Sequence, residues 1–107
     1  MPESRLEKLL EFLKNEPNDE FLKYALATEY LRLNDTGNAL LYYEDLVTNH
    51  ADYVGTYYHL GKLLERKKEK KEAEETYREG LRRTFGKEQH TYAELQQALN
   101  DLLYDDE

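Results

Sequence analysis

Residues 54–87 read VGTYYHLGKLLERKKEKKEAEETYREGLRRTFGK, and residues 20–53 read EFLKYALATEYLRLNDTGNALLYYEDLVTNHADY. Laid over one another, Ala27, Tyr30, Ala39 and Tyr43 fall on Gly61, Leu64, Ala73 and Tyr77, each 34 residues further on. Small residues repeat on small ones and large on large ones, so the chain holds the same unit twice. Within each copy the apolar residues recur at three and four, which is the helical period. A unit that repeats at such a spacing cannot bury its apolar face alone and gains a core by stacking on its neighbour.

Working outward from the two copies, the breaks fall near Pro17, Gly37 and Gly86. The first helix is expected over about Arg5 to Asn15, with Ser4 and Glu7 as a capping box. Leu6, Leu9, Leu10 and Leu13 form its stripe, with Phe12 on one shoulder. Asn18 or Asp19 caps the second helix, whose apolar side is Leu22, Leu26, Tyr30 and Leu33. Asn34-Asp35-Thr36-Gly37 is a polar turn. The third helix carries Ala39, Leu40, Tyr43, Leu46 and Val47 and stops around Thr48-Asn49-His50.

Asp52 is the expected cap of a fourth helix bearing Tyr53, Tyr57, Leu60, Gly61 and Leu64. Lys67 to Lys71 holds no helix breaker. Only the repeat phase places a turn there, and pattern alone allows one long helix. The fifth helix holds Ala73, Tyr77, Gly80 and Leu81 and ends near Thr84-Phe85-Gly86. The sixth carries Tyr92, Leu95, Leu99 and Leu102. Thr91 with Glu94 could cap its start, whereas the repeat phase begins it three residues earlier. The acidic tail Tyr104-Asp105-Asp106-Glu107 lies at the negative end of a helix dipole and is expected to fray.

These residues resemble the motif of the tetratricopeptide-repeat family, which pairs two antiparallel helices in each repeat. Its first helix has a Leu-Gly or Leu-Ala pair and then an aromatic. Its second has a small residue, an aromatic and another small residue. Leu26-Ala27, Tyr30, Ala39 and Tyr43 match in residues 20–53. Tyr57, Leu60-Gly61, Leu64, Ala73, Tyr77 and Gly80 match in residues 54–87. Two positions depart. Leu46 stands where alanine is usual, and Lys23 replaces a large aromatic, with Tyr24 or Phe21 expected to cover for it. The resemblance implies an all-α superhelix of antiparallel hairpins with about six helices in one domain. Residues 4–17 form a flanking helix, 20–53 and 54–87 the two repeats, and 88–104 a capping helix.

The resemblance also implies an inner face formed by the first helix of each repeat, where a peptide or protein segment would lie. Carried over, that face comprises Phe21, Tyr24, Thr28, Leu31 and Arg32, then Tyr58, Lys62, Glu65 and Arg66, then Gln89, Tyr92, Gln96 and Asn100. Tyr24, Tyr58 and Tyr92 are each 34 apart, so they either bind a ligand or pack between successive helices. The lysine and asparagine clamp by which some family members hold a terminal carboxylate is absent, since Tyr24 and Thr28 occupy its first positions. The implied function is a non-catalytic adaptor or accessory subunit. The alternative is self-assembly into a homo-oligomer through a terminal helix, with Leu10 and Leu13 extending the face of the first one.

Composition narrows the other classes. The formal net charge of -8 opposes binding to nucleic acid, whose phosphates need clustered cations. The charge is uneven. Val54 to Lys87 carries ten cationic and six anionic side chains, net +4, and Glu20 to Tyr53 two and six, net -4. From Glu88 onward there are six acids and no Lys or Arg. Arg66 to Lys71, continued by Arg78, Arg82 and Arg83, reads as a solvated face with pairs along the helix, or as a docking patch for an acidic partner.

Without cysteine, no disulfide, thiolate metal site or thiol nucleophile is possible. No window is apolar enough for a membrane helix. The polar start Met1-Pro2-Glu3-Ser4 does not read as a signal peptide, and the expected setting is cytoplasmic. His50, His59 and His90 have no zinc-type spacing, Ser4 is the only serine, and no cofactor or metal is expected. An enzyme with a cross-helix carboxylate site is the remote third reading.

Overall fold

The computed structural model describes residues 4–104, and the described residues form six α-helices without a strand. They are α1 (Arg5–Asn15), α2 (Glu20–Arg32), α3 (Thr36–Asn49), α4 (Gly55–Arg66), α5 (Lys70–Thr84) and α6 (Gln89–Tyr104). The chain divides into two compact units, Met1–Tyr53 and Val54–Glu107. The expected fraying after Tyr104 concerns residues 105–107, which lie outside the described residues.

In the first unit, α2 packs between α1 and α3. Ser4 caps α1 through a reciprocal box: the Glu7 N–H donates to Ser4 Oγ at 3.1 Å and the Ser4 N–H to Glu7 Oε1 at 2.9 Å. Asp19 caps α2, accepting from the Leu22 N–H at 2.9 Å. Leu6, Leu9, Leu10 and Leu13 of α1 pack into a core with Leu22, Ala25 and Leu26 of α2. Leu10 and Leu13 thus turn inward onto the unit's own core, and Phe12 is the apolar residue α1 leaves exposed. On the other side of α2, Ala39, Tyr43 and Leu46 of α3 are fully buried. Leu46 therefore fills space at the position where the family usually keeps an alanine.

Lys23 is buried too, at 6 % exposure. Its ammonium lies 3.1 Å from Asp45 Oδ2 and 3.3 Å from His50 Nε2. A cation out of water needs such partners, because desolvation otherwise costs several kcal/mol. The long stem supplies the apolar bulk of the missing aromatic while the charge is neutralised at its tip. Phe21 does not cover for it, being 61 % exposed. Tyr24 is half-buried, its ring 6.3 Å from Tyr43 and 5.4 Å from Tyr53.

The second unit sets α5 against α4 and α6, with a smaller contact of α4 on α6. A Cβ on Gly61 would fall on Cε1 of Tyr77 and within 2.6 Å of its Cδ1 and Cζ. A Cβ on Gly80 would meet Tyr57 Cβ at 2.7 Å and Leu95 Cδ1 at 2.8 Å. At Gly61 the α5 side chain Tyr77, and at Gly80 side chains of both α4 and α6, leave no room for a Cβ. Tyr77 lies flat across Gly61, fully buried, and its hydroxyl donates to Glu65.

The turns after α2 and α4 are the same turn. Asn34 has φ 64° and Lys68 φ 66°. The Asp35 N–H donates to the Tyr30 carbonyl at 2.8 Å, and the Glu69 N–H to Leu64 at 2.9 Å. The Asn34 N–H donates to Leu31 and the Lys68 N–H to Glu65, both at 3.0 Å. This pair of bonds is the Schellman arrangement that closes a helix with one left-handed residue. It resolves the ambiguity over Lys67 to Lys71 in favour of a break, which the lysine at the left-handed position hides in the sequence.

Two helix starts differ from or settle the sequence reading. Val54, not Asp52, occupies the N-cap of α4, and valine offers no side-chain acceptor. The Tyr53 N–H bonds the His50 carbonyl at 2.9 Å, so a turn over residues 50–53 delays the helix. At α6 the helix begins at Gln89, as the repeat phase has it, and the Thr91 alternative falls within the first turn.

Candidate functional site

The residues expected on an inner face divide by unit. In the first, α2 presents Phe21, Thr28 and Arg32 exposed, with Tyr24 and Leu31 half-buried. Arg32 is tied back to the buried Glu29 by its Nε at 3.1 Å and a second guanidinium bond. Arg5 approaches the same carboxylate at 3.4 Å. The hydrogen bond from Arg32 holds the Glu29 carboxyl below its ordinary range, against the opposing effect of desolvation. Thr28 Oγ1 lies 3.5 Å from the Tyr43 hydroxyl. Phe21 remains the large apolar group on this face without cover.

In the second unit the structure brings Tyr58 and Lys62 of α4 together with Glu94, Gln97, Ala98 and Asp101 of α6, around a cleft of about 210 Å³. The Lys62 ammonium stands 5.6 Å from the Tyr58 ring centroid and 3.9 Å from Glu65 Oε2. The Gln97 amide donates to Asp101 Oδ1 at 2.9 Å. Glu65 accepts the Tyr77 hydroxyl beneath. Burial, then that bond, push the Tyr77 phenol far above its ordinary value, with Tyr58 and Asp101 acting in the same direction. Arg66 is exposed at the end of α4.

Of the α6 residues drawn from the family motif, Gln89, Tyr92, Gln96 and Asn100 do not line this cleft. Gln89 and Asn100 are exposed and Gln96 half-buried, while Tyr92 packs its ring 5.9 Å from Phe85. Sequence reasoning missed Glu94, Gln97 and Asp101. Their spacing of three and four was the available signal, since it puts them on one helix face.

The three tyrosines spaced by 34 thus serve different ends: Tyr24 packs on Tyr43 and Tyr53, Tyr58 walls the cleft, and Tyr92 packs on Phe85. The cations of α5 are largely spent within the helix. Arg78 Nε bonds Glu74 at 2.9 Å, and Arg82 Nε and Arg83 Nε bond Glu79 at 3.0 and 2.8 Å. Those two arginines hold the Glu79 carboxyl below its ordinary range.

The histidines lie apart. His50 is at the end of α3, 3.4 Å from Glu20. His90 is almost fully exposed, 3.8 Å from Glu94. His59 is half-buried on α4 with its ring edge-on to Tyr58. Burial pushes its imidazole below the ordinary value, with the charge of Glu94 opposing. Among the described residues no group of three or more His, Cys, Asp or Glu could hold a metal ion. Among them, no helix is long and apolar enough to cross a membrane.

Comparison with known proteins identifies this class of helix repeat. The family model described as Tetratricopeptide repeat matches residues 54–85. The crystal structure of a tetratricopeptide repeat domain protein from Salinibacter ruber is 41% identical, with TM-score 0.77, over 80% of this chain and 97% of that one. The solution structure of such a domain from the same organism is likewise 41% identical, with TM-score 0.78, over 85% and 92%. A Bordetella parapertussis protein solved in solution shares the fold at TM-score 0.80 and 22% identity, over 98% and 92%. No curated protein sequence matches.

The chain belongs to the tetratricopeptide-repeat family. Domains of this family mediate protein–protein interactions.

Proposed function

We propose that this chain is a non-catalytic adaptor or accessory subunit, acting in the cytoplasm, that holds a peptide or protein segment on the exposed faces of α2, α4 and α6. In the first unit that face comprises Phe21, Tyr24, Thr28, Leu31 and Arg32 on α2, and in the second Tyr58, Lys62, Glu65 and Arg66 on α4. On α6 it comprises Gln89, Tyr92, Gln96 and Asn100. The observation that carries this reading is the cleft walled by Tyr58 and Lys62, which family membership would place among the ligand-facing helices. An aromatic face with polar groups around it suits a peptide, through stacking and side-chain hydrogen bonds. Among the polar residues of these faces, Lys62 stands 3.9 Å from Glu65 and Arg32 is bound to Glu29, so these charges are held in ion pairs.

Self-assembly through α1 has less support, because Leu10 and Leu13 pack on the core of their own unit. The test is selection from a random-peptide display library, followed by amide-shift mapping with the selected peptide. Shifts at Tyr24, Lys62 and Gln96 are expected. Shifts confined to α1, α3 and α5 would refute the proposed face.

A further inference from the structure

The lining of the α4–α6 cleft has a chemical bias. Glu94 and Asp101 contribute two carboxylates. The Gln97 amide nitrogen is committed to Asp101 Oδ1 at 2.9 Å, which leaves its carbonyl oxygen and the second Asp101 oxygen as acceptors. Tyr58 contributes a ring face, already used by the Lys62 ammonium at 5.6 Å from its centroid. Lys62 is the one cation among the lining residues, and its charge also faces Glu65 at 3.9 Å. Two imidazoles border these groups: His90, 3.8 Å from Glu94 and almost fully exposed, and His59, half-buried with its ring edge-on to Tyr58. The site therefore offers acceptors and an aromatic face, and few free donors.

We infer that this cleft receives a cationic side chain, arginine above lysine, from the peptide segment of a partner protein. Guanidinium matches the lining in three ways. It carries five donors and no acceptor, it pairs in planar fashion with carboxylates, and it stacks on aromatic faces. Space agrees: at about 30 Å³ per liquid water, a cleft of about 210 Å³ holds one long side chain and not a folded element. The field agrees as well, since Glu65 and Asp101 both disfavour a negative charge on the buried Tyr77 phenol. Lys62 acts as a built-in competitor for the Tyr58 face, which an incoming guanidinium displaces toward Glu65.

The inference rests on the peptide-binding reading above, and its test separates the two. The probe is the blocked tripeptide acetyl-Gly-Arg-Gly-amide, titrated into isotope-labelled protein at low and high salt. Its citrulline counterpart, of equal shape and no charge, and a glutamate counterpart are run beside it. Saturable shifts at Tyr58, Gln97 and Asp101 are expected with arginine alone, weakening in salt. Asp101→Asn and Glu94→Gln, both exposed positions that leave the fold intact, should each weaken binding by about two- to fivefold, as for solvent-exposed ion pairs. Lys62→Ala should strengthen it.

Equal shifts with arginine and citrulline, or binding indifferent to both neutralising substitutions, would overturn the inference. So would the absence of shifts at the three cleft positions. A library-selected peptide that lacks Arg and Lys yet shifts Tyr24, Lys62 and Gln96 would sink the cationic specificity and leave the peptide-binding reading standing.

Discussion

Gly61→Ala is the substitution whose outcome the packing constrains most tightly. The new Cβ falls on the Tyr77 ring, and Tyr77 is fully buried, so the ring must move. The first unit shows where it would go. Ala27 occupies the place of Gly61 and Tyr43 that of Tyr77. There the hydroxyl ends 3.5 Å from Thr28 Oγ1 and not at the residue equivalent to Glu65, which is Leu31.

An alanine at 61 is therefore survivable, but it forfeits the Tyr77–Glu65 bond. A hydrogen bond to a charged group contributes about 1.5–3 kcal/mol, here toward the lower end because Glu65 is partly exposed. Added overpacking strain is about 1 kcal/mol or more, and replacing glycine within a helix returns about 1 kcal/mol. The net loss is about 1–2 kcal/mol, which for a domain of this size lowers Tm by about 5–15 °C. Thermal and urea unfolding followed by circular dichroism reads it. Gly37→Ala is the control, because the nearest atom to its Cβ is 3.9 Å away; it should be neutral or slightly stabilising. A Gly61→Ala protein as stable as the parent would show that the ring does not lie across Gly61 at all.

Lys23→Ala should cost about 1–2 kcal/mol, less than the loss of a fully buried pair because Asp45 stays partly solvated, whereas Lys23→Met keeps the stem and should cost less; urea midpoints compare them. Lys68→Gly should stabilise by about 1 kcal/mol by relieving a left-handed backbone, read as a rise in Tm. Acid should destabilise in two stages. His59 has a depressed imidazole, so the unfolded chain takes up the proton first and stability falls as pH drops below about 6.5. A His59→Gln protein should lose that stage alone. The second stage begins below about pH 4, where Glu29, Asp45 and Glu79, all depressed in the fold, must be protonated; urea midpoints at pH 7.5, 5.5 and 3.5 follow both.

Much of this architecture was legible because it rests on spacing. The pairing of Gly61 with Tyr77 is a matter of helix phase, and phase survives in the sequence. The Asn34 turn was visible because asparagine tolerates the left-handed region. Its twin at Lys68 was visible only through the repeat phase, because lysine has no such preference. Asp52 misled because a capping side chain is a local signal, and the backbone bond from Tyr53 to His50 prevailed over it. Of the residues that line the cleft, Tyr58 and Lys62 are named by the family resemblance, while Glu94, Gln97 and Asp101 are not. They belong to a closing helix with less of the motif, and only the contact of α4 on α6 shows which of its faces meets the cleft.

The paired turns at Asn34 and Lys68 also bear on how freely such a chain can change its surface. Their hydrogen bonds run from main chain to main chain, so the geometry makes little demand on the side chains that decorate it. One turn carries Arg32, Asn34 and Asp35; the other carries Arg66, Lys67, Lys68, Glu69, Lys70 and Lys71. Apart from Asp35, whose carboxylate caps α3 by accepting from the Asn38 N–H at 3.2 Å, and the left-handed position itself, charge at the ends of the hairpins can thus be exchanged with little penalty in folding. Colloidal behaviour and the sign of long-range attraction can drift or be tuned there while the helices behind keep their register.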